Sequence, residues 1–147
     1  MASSRFEGRE VHLTIPVAPE MEIVATAVVS ALGEWMKMQH DKIDEVKLAV
    51  VEACINAFEH SGTPDHKVEF SFRVAGNGTD TESCLEVGVS DAGHGFDPGT
   101  RVEPQIAAKL KSPKKRGWGI KIIETLMDDV RIESGANGTT IVMKKYR

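Results

Sequence analysis

Three short segments of this 147-residue chain carry side chains whose types and spacing could do chemistry together. In the first, Glu52, Asn56 and His60 recur every fourth residue inside an apolar helical pattern. They therefore fall at successive steps of about 40° on one helix face. A carboxylate beside a side-chain amide offers a proton acceptor and an oxygen ligand for Mg²⁺, an ion that takes oxygen donors. In the second, Asp91-Ala-Gly93-His-Gly95-Phe96, a carboxylate closes a strand pattern and is followed by two glycines. Such a carboxylate can accept a hydrogen bond from an exocyclic amine such as that of adenine, and glycines let the backbone approach a flat ring closely. The third, Lys114-Lys115-Arg116-Gly117-Trp118-Gly119-Ile120, sets cations and glycines just before a helical pattern. There the free backbone N–H groups and the positive end of the helix dipole can face an anion. A metal-binding amide, an adenine-reading carboxylate and a glycine-rich phosphate loop are the parts of a Mg·ATP site.

No one of these segments is specific by itself. A Glu/Asn pair most often lies on a solvated helix face, and Asp and Gly are turn residues in any protein. Gly-x-Gly before a helix often reflects close packing, and the cations around it a solvated loop. Asn in mid-helix is disfavoured by roughly a few tenths of a kcal/mol, which is a weak sign that its amide is needed. The inference rests on all three occurring together, since each supplies a different part of one site.

The elements that must position these residues follow from periodicity. Val11-His-Leu-Thr-Ile-Pro16 alternates and ends at a proline, as a short edge strand does. Residues 19–38 place Ile23, Val24, Ala27, Val28, Ala31, Leu32 and Trp35 at helical spacing, with Pro19 near the start. Asp41 is the expected cap of a second helix that runs to about His60 and is ended by Ser61-Gly-Thr-Pro64. On that helix Val46, Val50, Ala53, Cys54 and Ala57 form an apolar stripe beside the polar one, which sets the polar stripe at a seam between helix and sheet.

Residues 67–74 and 83–90 alternate strictly around Gly76-Asn-Gly78 and predict an antiparallel hairpin. Residues 119–127 resume helical spacing, and residues 130–134 and 139–145 predict a second hairpin around Gly135-Ala-Asn-Gly138. Between these units, residues 92–116 have no sustained period. A connection this long is usually functional, and a lid over the site is expected here. The sum is an α+β fold, an antiparallel or mixed sheet with helices on one face, in a single domain spanning residues 1–147.

Composition excludes several classes. A net charge of −4 and a pI near 5.7 argue against a general nucleic-acid binder, whose affinity rests on a basic surface. The N-terminal residues carry acids and no apolar run, unlike a secretory signal, and the longest apolar stretch, residues 23–32, is too short to span a bilayer. A soluble cytoplasmic protein with no direct nucleic-acid or membrane contact is expected. The two cysteines, Cys54 and Cys84, lack the spacing of a metal site. A disulfide and two buried free thiols both fit the sequence, the thiols being the simpler reading.

The order Glu52-x-x-x-Asn56-Ala-x-x-His60, Asp91-x-Gly93-x-Gly95-Phe96, Gly117-x-Gly119 and Gly138-Thr139-Thr140 resembles the N, G1, G2 and G3 boxes of the GHKL (Bergerat-fold) ATPases. With Glu52-Ala-x-x-Asn56-Ala, the Met127-Asp-Asp-Val130 segment and its short length, the chain looks most like the bacterial anti-sigma factor serine kinases. The resemblance implies a two-layer α/β sandwich that binds ATP and Mg²⁺. It implies that Asp91 accepts from the adenine amino group, that Gly93, Gly95 and Phe96 shape the adenine wall, and that Thr139 or Thr140 supports it. Asn56 would ligate Mg²⁺, and Lys115, Arg116, Gly117, Trp118, Gly119 and Ile120 would surround the phosphates, Lys115 and Arg116 competing for the cationic role. Glu52 would orient or deprotonate an attacking serine hydroxyl. The partners implied are a sigma factor, held by a homodimer, and a STAS-domain anti-sigma factor antagonist, the phosphorylation substrate. The lid shows no match to the family's usual lid segment. Two other readings are a nucleotide-dependent binding module without phosphotransfer and a detached ATPase domain of a histidine kinase; only His12 and His40 precede the first box as phospho-acceptors for the latter.

Overall fold

The structure, a computed structural model, describes residues 10–60, 67–76, 81–91, 118–135 and 138–147. In chain order these form β1 (Glu10–Pro16), α1 (Glu22–Trp35), α2 (His40–His60), β2 (Lys67–Ala75), β3 (Cys84–Asp91), α3 (Trp118–Leu126), β4 (Asp129–Gly135) and β5 (Gly138–Tyr146). The strands make one sheet in the order β1-β2-β3-β5-β4, and all four pairings are antiparallel. Of the antiparallel and mixed alternatives, the first holds among the described residues. The expected lid, residues 92–116, lies outside them.

Period-two alternation divides the sheet into two unlike faces. Val68, Phe70, Phe72 and Val74 of β2 and Leu85, Val87 and Val89 of β3 all point to one side and are fully buried there. The rings of Phe70 and Phe72 stack with centroids 5.9 Å apart. Ala25, Val29 and Leu32 of α1, Val46, Val50, Ala53 and Cys54 of α2, and Ile123 of α3 complete this core. Among the described residues the helices thus cover one face only, as a half-buried antiparallel sheet requires. Gly33 lets α1 and α2 approach closely, since a Cβ there would meet Ile43 at 2.7 Å.

The first helix holds the whole apolar pattern but is shorter than the expected span of residues 19–38, and its backbone explains why. Glu20 takes φ +68° and Lys37 φ +58°, conformations incompatible with continuing a right-handed helix. After Trp35 the chain closes a Schellman motif, Met38 N–H donating to Gly33 O at 2.9 Å and Lys37 N–H to Glu34 O at 3.0 Å, with Lys37 in the left-handed position usually held by glycine. The second helix begins one residue before the expected cap. Ile43 N–H donates to Gln39 O at 3.0 Å, so Gln39 is the residue at the cap position. Asp41 instead lies within the first turn, where its charge complements the helix dipole.

Both expected hairpins form, β2 pairing with β3 and β4 with β5, each antiparallel. Gly76, which leaves β2, has φ +83°, and a Cβ there would lie 3.0 Å from Ser83 Oγ, so glycine meets both a conformational and a steric need. The cysteines are free and buried.

Candidate functional site

The seam between α2 and the ends of β3 and β5 opens a pocket lined by Ala53, Asn56 and Ala57 of α2, Val89 and Asp91 of β3, and Thr139 and Ile141 of β5. Three facts of local structure converge there. The four-residue helical repeat puts Asn56 one turn beyond Glu52 on the same side of α2. The pleat of β3 turns Asp91, its last residue, to the covered face, where it is only 5% exposed. The β3–β5 register sets Asp91 directly opposite Thr139, so the two side chains share that face. A carboxylate sunk beside apolar walls suits an amine donor on a flat apolar ligand better than a hydrated ion.

The third segment meets the first. Gly119, in the first turn of α3, is buried, and a Cβ there would lie 3.4 Å from Glu52 Oε2. The N-terminal turn of α3 therefore lies against the Glu52 carboxylate, with no side chain between them. A helix N-terminus carries unsatisfied N–H groups and partial positive charge, so the place where phosphates would bind adjoins the proposed base.

Other expected site residues fare differently. Gly93, Gly95, Phe96, Lys115, Arg116 and Gly117 lie outside the described residues. Trp118 opens α3, and Ile120, in its first turn, is partly buried against the core. Thr140 is separated from its neighbour by the pleat. It pairs with Ser90 on the opposite face, where the two hydroxyl oxygens are 2.9 Å apart, and its side chain does not reach the pocket that Thr139 lines. The apolar walls were not singled out in the sequence as ligand contacts. Ala53 and Ala57 flank Asn56 on α2, and their small size leaves the space into which the pocket opens. The metal donor expected from the sequence, the Asn56 amide oxygen, faces the pocket, and among the described residues no cluster of three or more His, Cys, Asp or Glu side chains adds to it. Such a sparse set fits Mg²⁺, which keeps several waters and binds largely through substrate phosphates.

Comparison with known proteins agrees with this fold. Residues 15–145 match the family described as histidine kinase-like ATPase domain. The serine-protein kinase RsbW of Bacillus velezensis is 32% identical over 140 residues, covering 92% of this chain and 84% of the relative. The chain belongs to the RsbW group of histidine kinase-like ATPases. RsbW of Bacillus subtilis is 31% identical over the same shares of both chains, and RsbW of Listeria innocua is 29% identical over 143 residues. Among solved structures, that of the RsbU and RsbW domains of Rv1364c from Mycobacterium tuberculosis superposes with a TM-score of 0.66 at 21% identity, covering 93% of this chain and 32% of that one. The histidine kinase domain from Erythrobacter litoralis EL346 gives 0.52 at 16% identity, covering 90% of this chain and 61% of that one. The fold is thus common to RsbW proteins and histidine kinases, as the GHKL resemblance implies.

Proposed function

We propose that this chain is an ATP-dependent protein serine/threonine kinase and anti-sigma factor of a bacterial partner-switching system. The observation that carries this reading is the convergence of Asn56, Asp91 and Thr139 on one pocket, with Glu52 set against the first turn of α3. Asp91 reads the adenine amine, Thr139 supports the ring, and the N-terminus of α3 receives phosphate oxygens. Asn56 would hold Mg²⁺, which when bound would offset the phosphate charge. Glu52 takes the proton of a partner's serine hydroxyl as its oxygen bonds the γ-phosphorus and the bond to ADP breaks.

The substrate in this reading is a STAS-domain antagonist, and the competing partner is a sigma factor, through which the protein regulates transcription in the cytoplasm. A phosphoserine adds nearly two negative charges, which disfavours renewed contact with a chain of net charge −4. No helix among the described residues is long and apolar enough to cross a membrane. Homodimerisation is supported by Ile23 and Val24, which α1 leaves 61% and 40% exposed.

Intact-mass analysis of STAS-domain proteins from the same genome, after incubation with this protein and Mg·ATP, tests the reading. One added phosphate is expected, formed about 10²- to 10⁴-fold more slowly by Glu52→Ala. Saturable ATP binding with no phosphoprotein in any pairing would instead establish a nucleotide-dependent binding module.

A further inference from the structure

Lys145 lies on the covered face of β5, in the same column as Thr139, Ile141 and Met143, and is only 6% exposed. A lysine is seldom buried unless paired, and this one has two partners on two different helices. Its ammonium donates to the carbonyl of Leu126, the last residue of α3, at 2.5 Å, and lies 3.4 Å from the Glu45 carboxylate of α2. The carbonyls at a helix C-terminus lack helical partners and carry partial negative charge, so a cation is well placed there. The exit of α3 is also fastened to β5 by Asp128 N–H donating to Lys144 O at 2.9 Å and Tyr146 N–H donating to Asp128 Oδ2 at 2.7 Å. Of these three links, that of Lys145 alone reaches α2 as well.

The spacing connects this clamp with the site. Glu45 and Glu52 are seven residues apart on α2, and so are Leu126 and Gly119 on α3. Each interval is about 10.5 Å of helix. Lys145 joins Glu45 to Leu126 at one level, and Glu52 meets Gly119 at the other. The two helices therefore run in opposite directions and touch at two rungs of equal separation. One rung is the ammonium clamp, and the other is the meeting of the carboxylate with the phosphate-facing helix start.

We propose that Lys145 is a positioning residue for phosphate binding: by tying α3 to α2 and β5 at one end, it sets the approach of the α3 N-terminus to Glu52 at the other. This rests on the reading of the pocket as an ATP site. The adenine-facing pair, Asp91 and Thr139, stands on β3 and β5, and no residue of α3 lines that pocket among the described residues, so loosening of α3 leaves the pair in place.

Lys145→Met, which keeps the apolar stem, and Lys145→Arg, which keeps the charge, provide the test. In the nucleotide-free protein, held well below each variant's melting temperature, amide hydrogen exchange of residues 118–126 should quicken at least tenfold in Lys145→Met. Exchange in β2 and β3 should be unchanged. ATP should bind about tenfold more weakly while adenosine affinity stays within about twofold, and Lys145→Arg should restore most of both effects. Unchanged exchange in α3, or ATP and adenosine affinity falling together, would overturn the proposal, the second result marking Lys145 as a general stability residue. If the wild-type protein bound neither ligand, the ATP-site reading itself would fall, and the exchange data would still separate that failure from failure of the clamp.

Discussion

The two faces of the sheet are made from alternate residues of the same five strands, yet they differ in almost every physical respect. On the covered face, Phe70, Phe72, Leu85, Val87 and Met143 pack against helices with no access to water. On the open face, the row Glu10, Arg73, Glu86, Lys144 and Asp129 crosses all five strands with charges alternating in sign. Within it Glu86 lies 3.6 Å from Arg73 and 3.7 Å from Lys144. Opposite charges set directly across from one another favour this register, whereas a slip by one residue would bring them into the core. The covered face supplies cohesion, and the open face supplies register and solubility. The site belongs to the covered face, where the core ends and Asp91 and Thr139 replace apolar residues.

Substitution on the two faces should separate these roles most widely. Phe70→Ala removes a fully buried ring from the middle of the core and is expected to lower unfolding free energy by about 3–5 kcal/mol in chemical denaturation. Glu86→Gln, on the open face, should cost no more than about 1 kcal/mol, and less as salt is added, since its partners are surface charges. Comparable losses for the two variants would show that the open face is covered by something in solution.

The cysteines extend the comparison to reactivity. Cys54 faces the core from α2, where burial, with a smaller contribution from Glu22, pushes its thiol from 9.0 up to about 12. Cys84 points to the open face. Burial raises its pKa too; Lys144 and Arg73 act against the rise, while Glu86 and Asp128 add to it. At about pH 8 alkylation of Cys54 in the folded protein should be on the order of a thousandfold slower than in denaturant, in proportion to its thiolate fraction. Peptide mapping should find Cys84 modified first. The fold favours the protonated Cys54 thiol, so this contribution to stability is complete below pH 9.0 and is lost as pH rises towards about 12. Modification of Cys54 before Cys84 would contradict the assignment of the two thiols to opposite faces.

What the sequence displayed of this arrangement depended on the range of the interaction. The alternation in β2 and β3 and the i, i+4 pairing of Glu52 with Asn56 are local patterns, and both reappear in the fold where the residues place them. The ends of α1 were not legible, because Glu20 and Lys37 take left-handed conformations without being glycine. Lys145 was hidden for a different reason. In sequence it is one of two adjacent lysines near a strand end, and only the α2–α3 packing gives it partners. The choice between Thr139 and Thr140 lay beyond local pattern altogether, since it depends on how β5 registers against a strand some fifty residues away.

That pair offers the finest division between the faces. Thr139 and Thr140 have the same side chain and adjacent positions, so propensity and volume are matched when either becomes alanine. Thr139→Ala alters the pocket wall opposite Asp91 and is expected to weaken ATP binding about fivefold, the worth of roughly 1 kcal/mol for one hydrogen bond. Thr140→Ala removes the partner of the Ser90 hydroxyl on the solvent side and should lower stability by about 0.5–1 kcal/mol. Its ATP dissociation constant should stay within about twofold of the parent's, as titration calorimetry would record. If Thr140→Ala had the larger effect on ATP, the hydroxyl bridge between β3 and β5 would be holding Asp91 in register from behind the sheet, and the open face would then belong to the site as fully as the covered one.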